Sequence, residues 1–146
     1  MNNPLAYRLL DLALWVAGAG HFIILFASFQ VPFRLDWVRD LAKLQPFNRK
    51  LLWAQGSFTV LTIIAFGIAT LALHNEMLHG DRAALFIAGF IGLYWTIRIL
   101  VDAFYFSHED WPTGRYFKIG HFMLKSLFCC LAATFISVLA WNHSIR

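Results

Sequence analysis

The chain has 146 residues, 60% of them hydrophobic and only 14% charged, with a mean hydropathy of +0.61, whereas soluble domains carry roughly 25% charged residues. That composition excludes an ordinary soluble domain and points to an all-α integral membrane protein. The net charge of +4 would suggest nucleic acid in a soluble protein, but in a membrane protein basic loops on one side account for it and no nucleic-acid partner is expected.

The first apolar run, residues 12–33, carries no charge, and a helix over 10–31 reaches across ~30 Å of hydrocarbon at 1.5 Å rise per residue. It starts beside Asp11 without a basic leader or small-residue cleavage pattern, so a retained span is expected rather than a signal peptide. In the 31–50 connection, Phe33, Trp37, Val38, Leu41 and Leu44 alternate with Arg34, Arg39, Asp40 and Lys43 between Pro32 and Pro46. This near-helical spacing predicts a short interfacial helix lying on the bilayer surface between spans one and two.

The second span is expected over 51–73, within a charge-free run, and the third over 83–106. Between them His74, Glu76, His79 and Asp81 crowd residues 74–82, which read as a solvated loop. The fourth span, 117–141, holds Cys129 and Cys130; adjacent positions project about 100° apart on a helix, which disfavours a mutual disulfide. Gly18, Gly20, Gly56, Gly67, Gly89 and Gly92 offer close helix approach in lipid. Trp95 lies too deep to be an interface anchor and is expected to pack. The whole chain, 1–146, thus reads as one four-helix bundle domain with antiparallel up-down topology.

Arg34, Arg39, Lys43, Arg49, Lys50, Arg115 and Lys118 fall in the two connections on one face, against Arg8, Arg82 and Arg146 on the other. The imbalance predicts a cytoplasmic first face and both termini outside, as in a bacterial inner (plasma) membrane.

The third span breaks its own apolar pattern with Arg98 and Asp102, and ionisable groups at membrane depth are costly enough to mark a functional region. From the span ends, His21 lies about 15 Å deep, Arg98 and Lys125 about 12 Å, and Gln55, Asp102 and His121 about 6–8 Å, all from the cytoplasmic side. Tyr94, Arg98, Asp102 and Tyr105 share a face of the third span; His121, Lys125 and Cys129 share one of the fourth; Gln55, Thr59 and Thr62 form a stripe on the second. If these faces converge, they line a polar cavity in which Arg98 pairs with Asp102 and Lys125 competes for the same carboxylate. The candidate ligand-binding residues are therefore His21, Gln55, Arg98, Asp102, His121 and Lys125. The opposing structural reading has Arg98 and Lys125 snorkelling to the headgroups with Asp102 as a neutralising partner, and His21 as a lone histidine hydrogen-bonded across helices.

His108, Glu109, Asp110 and His121 are weak metal candidates, because no two histidines stand at i, i+4 as in an HExxH box. A b-type haem needs two axial histidines at one level, while His21 and His121 differ by about 9 Å in depth. The residues thus point to a small polytopic protein that binds a lipid, quinone or other anionic ligand, as a homo-oligomer or as an accessory subunit of a larger membrane complex. The other classes are a membrane-surface enzyme using Asp102 or His121 with Arg98 and Lys125 on an anionic head group, a haem electron carrier, and a transporter. Four short spans without broken helices leave little room for the last.

Overall fold

A computed structural model describes residues 4–34, 36–106 and 114–144. Those residues form helices α1 (Pro4–Phe29), α2 (Val31–Arg34), α3 (Trp37–Ala42), α4 (Pro46–Ala72), α5 (His74–His79), α6 (Arg82–Phe104) and α7 (Arg115–Ser144), and no strand. Four stretches are long and apolar enough to cross a membrane: Pro4–Arg34, Pro46–Ala72, Arg82–Phe104 and Lys118–Ser144. Their outer surfaces carry exposed Trp15, Phe26, Phe58, Phe86, Leu93 and Phe122. A surface this apolar suits lipid tails and would be a liability in water.

The helices overrun the spans read from charge alone. Arg8, Asp11, Arg49 and Lys50 continue α1 and α4 past the apolar runs, since Arg and Lys are good helix formers. Pro46 starts α4 at its first position, where a missing N–H costs nothing. Asp81 caps α6, its Oδ1 accepting from the Ala83 and Ala84 amides at 3.0 Å each.

Between spans one and two stand two short helices, α2 and α3, and Asp36, just before the second, takes a left-handed conformation (φ 49°, ψ 45°) that interrupts a right-handed helix. One local expectation is corrected. The 74–82 stretch is not a solvated loop. Residues His74–His79 wind into α5, with His74, Met77 and Leu78 buried, and Gly80 ends it at φ 79°, a conformation open to glycine at no steric cost.

α1 packs along α4 and α7, and α6 along α7, while α4 and α6 barely meet. The neighbours therefore run α4, α1, α7, α6 around the bundle, with the α4–α6 seam the loosest. Gly18 and Gly67 let α1 and α4 close up: a Cβ at Gly18 would collide with the Leu71 side chain, and one at Gly67 would stand 2.9 Å from Phe22.

Burial is lopsided along the bundle. The buried residues of α4 are Ile63, Phe66, Gly67 and Thr70, all in its second half. In α6 burial stops at Trp95 apart from Asp102, and in α7 the buried apolar residues begin at Phe128. One end is thus packed and the other, which holds Gln55, Asp102 and His121, is open. Polar contacts tie the packed end. His74 Nε2 lies 2.6 Å from Asp11 Oδ1 beneath the Trp15 ring, 4.7 Å from its own. The buried Asn142 side chain donates to Met77 O at 3.0 Å and Val138 O at 2.9 Å.

Candidate functional site

The α4–α6 seam closes on a single aromatic junction. Phe66 of α4 meets Tyr94 of α6 edge-to-face, with ring centroids 5.1 Å apart, and Phe90 at 6.0 Å. Helical periodicity then fixes what lies toward the open end. Thr62, Thr59 and Gln55 precede Phe66 by four, seven and eleven residues and share its face; Arg98 and Asp102 follow Tyr94 by four and eight and drift from α4 toward α7. Beyond the junction, the polar stripes of α4 and α6 continue toward the open end.

On its other side α6 packs against α7 through aromatic rings. Trp95 stacks on Phe128 with centroids 4.8 Å apart and planes 28° from parallel. The Arg98 guanidinium sits 5.8 Å from the Phe128 ring centre and 5.9 Å from that of Phe106, within cation–π range of both faces.

The ion pair expected between Arg98 and Asp102 is absent. Lys125 Nζ stands 3.2 Å from Asp102 Oδ2, and His121 Nε2 stands 3.6 Å from the same oxygen. The cause is geometric: the i, i+4 direction on α6 carries the Arg98 side chain onto the aromatic rings, while Asp102 has turned far enough to face α7. Oδ2 is buried and receives no well-aligned hydrogen bond, so charge rather than a directed N–H holds it. Arg98 has no carboxylate partner among the described residues.

Arg98, Asp102, His121 and Lys125 are thus brought together on α6 and α7. Gln55 is exposed on α4 and has no hydrogen bond to that cluster among the described residues, although its helix face is the one that meets α6 at Phe66. The hydroxyls of Thr59 and Thr62 donate to carbonyls of their own helix, Gln55 O at 3.0 Å and Phe58 O at 2.9 Å.

His21 stands apart from the cluster, fully buried in the packed half. Its Nδ1 lies 2.7 Å from Ala17 O, and Trp95 Nε1 donates to its Nε2 at 3.1 Å. Both ring nitrogens are engaged, which leaves none for an iron or a ligand without breaking one of these bonds. His108 lies outside the described residues, as do Glu109 and Asp110. Among the described residues no three His, Cys, Asp or Glu side chains converge as metal ligands do. Cys129 and Cys130 are exposed free thiols.

Sequence reasoning missed the Asp11–His74 contact. Asp11 reads as a span entrance and His74 as a loop residue, and the signal that could have joined them is that both lie at the same end of neighbouring spans. No family model, curated protein or solved structure matches the chain.

Proposed function

We propose that this small membrane protein holds a bilayer amphiphile in the α4–α6 seam, in the first place a lipid with an anionic head group and, as the second candidate, a quinone whose carbonyl oxygens accept from Arg98. Arg98 carries the reading. It is a cation at membrane depth with no carboxylate partner among the described residues, Asp102 being held by Lys125 and His121, and an unpaired charge there is costly. An anionic head group beside Arg98 would offset the surplus, and the exposed Phe106 ring beside the Arg98 guanidinium would accept the first carbons of an acyl or isoprenoid tail. Gln55, His121 and Lys125 rim the head-group position, while His21 acts indirectly by fixing the Trp95 indole.

The spans alternate up and down in this reading. Contacts run from Asp11–His74 through Gly18–Leu71 to His21–Gly67 on α1 and α4, and from Gly89–Leu139 through Trp95–Phe128 to Asp102–Lys125 on α6 and α7. In both pairs one number falls as the other rises. The open end faces the cytoplasm and the termini lie outside, on the strength of the basic residues at the open end; α3 lies along the headgroups.

The test is to purify the protein in mild detergent and identify what stays bound by mass spectrometry. An anionic lipid or a quinone should accompany the native chain in near-stoichiometric amount and fall at least several-fold in Arg98→Leu. Equal retention by both proteins, or no bound amphiphile in either, would sink the reading.

A further inference from the structure

The exposed cations at the open end form a surface separate from the seam. Arg34, Arg39, Arg49, Lys50, Arg115 and Lys118 are all exposed, and none has a carboxylate within ion-pair reach among the described residues. Lys43 differs, because Asp40 lies 2.8 Å from its Nζ; the hydrogen bond and charge of Lys43 hold the Asp40 carboxyl below its ordinary range. Asp36 is the other acidic residue between α1 and α4.

Large apolar side chains are interleaved with these cations: Phe33 is 86% exposed, Val38 74% and Phe47 73%. α2 follows directly from α1, Arg34 N donating to Gln30 O at 2.9 Å, and Trp37 of α3 meets Trp53 of α4 edge-to-face at 6.1 Å. Unpaired cations beside unburied aromatic and aliphatic groups suit neither free water nor hydrocarbon. They suit the boundary where phosphates lie beside the first methylenes.

We infer that this collar, formed by α2, α3 and the first turns of α4 and α7, binds anionic phospholipid head groups and gathers that lipid class around the open end of the bundle. The inference rests on the chain spanning a membrane and is independent of what the seam holds. Charge complementarity selects the occupant: six exposed cations with no ion-pair partner among the described residues attract phosphodiester anions and gain nothing from a zwitterionic surface. Each cation near such a surface contributes about a five-fold gain in affinity at low salt. The Phe33, Val38 and Phe47 side chains would enter the acyl boundary between head groups and hold α2 and α3 down.

The experiment uses the full chain reconstituted in phosphatidylcholine bilayers containing trace spin-labelled phosphatidylglycerol or spin-labelled phosphatidylcholine, with the immobilised fraction of each read by electron paramagnetic resonance. Phosphatidylglycerol should be enriched at the protein several-fold over phosphatidylcholine. Raising the salt from about 0.01 M to about 1 M shortens the screening length from about 30 Å to about 3 Å and should erase most of that preference. A fourfold variant, Arg34→Gln, Arg39→Gln, Arg49→Gln and Lys50→Gln, should lose it at low salt, while Arg98→Gln should keep it. Equal immobilised fractions in the native protein, or a preference insensitive to salt, overturns the inference without reference to any variant. A preference that survives the fourfold change also overturns it, and its loss in Arg98→Gln instead would move the anion into the seam.

Discussion

Trp95 donates its indole N–H to Nε2 of His21 at 3.1 Å, joining α6 to α1 across the bundle. Because Nε2 accepts, the ring proton resides on Nδ1, which lies 2.7 Å from Ala17 O. The imidazole is therefore neutral, and its tautomer is set by two partners on different helices. The same indole is one face of the Trp95–Phe128 stack, so one hydrogen bond orients the aromatic packing between α6 and α7.

Trp95→Phe should lower stability by about 1–3 kcal/mol, because it leaves a buried acceptor without its donor. His21→Phe should cost a similar amount from the opposite side. Thermal unfolding in detergent measures both, and an unchanged midpoint in either variant would show that the bond does not form. A Soret band in the purified protein that disappears with His21→Ala would show instead that His21 ligates iron.

Lys125 and Asp102 should be energetically coupled, and Arg98 and Asp102 should not. Lys125→Met leaves a buried carboxylate facing His121 alone, so removing both members of the pair should cost less than the sum of the single losses. With the Lys125 side chain 37% exposed, solvent screening limits the coupling to about 1–2 kcal/mol. A double-mutant cycle in detergent reads it. Additive losses for Lys125→Met and Asp102→Leu, or coupling with Arg98→Leu in their place, would refute the assignment of partners.

Orientation is checked by cysteine labelling in a Cys129→Ala, Cys130→Ala background. A cysteine replacing Lys43 should be protected from an impermeant thiol reagent outside intact cells, and one replacing Asn75 should react. The reverse pattern would place the open end and its basic collar on the outer face.

The spans were legible because hydrocarbon thickness translates directly into a length of apolar sequence. Their ends were not, since Arg8, Lys50 and Asn142 are compatible with helix, and charge marks the edge of the lipid rather than the edge of the backbone structure. The polar faces of α6 and α7 could be read from periodicity. The partner of Asp102 could not: Arg98 and Lys125 both satisfy spacing and depth, and choosing between them required the rotation of α6 against α7 and the positions of Phe106 and Phe128. The Asp11–His74 contact spans 63 residues and leaves no local pattern. His21–Trp95 was hidden for a related reason. A histidine and a tryptophan in apolar runs reveal a bond only once helix rotation is known.

The uneven packing along the bundle gives it the mechanics of tongs. The α1–α4 and α6–α7 pairs are fastened at one end by Asp11 with His74 and Asn142 with Met77, and the His21–Trp95 bond ties them further along. Alongside, α1 and α7 pack directly, so only α4 and α6 are free to part, and the ring contacts across their seam are the edges of Phe66 on Tyr94 and Phe90. Spreading α4 from α6 slides those aromatic edges and leaves the fastened core intact. Stiffness resides at one end of the molecule and compliance at the other, where the cations are.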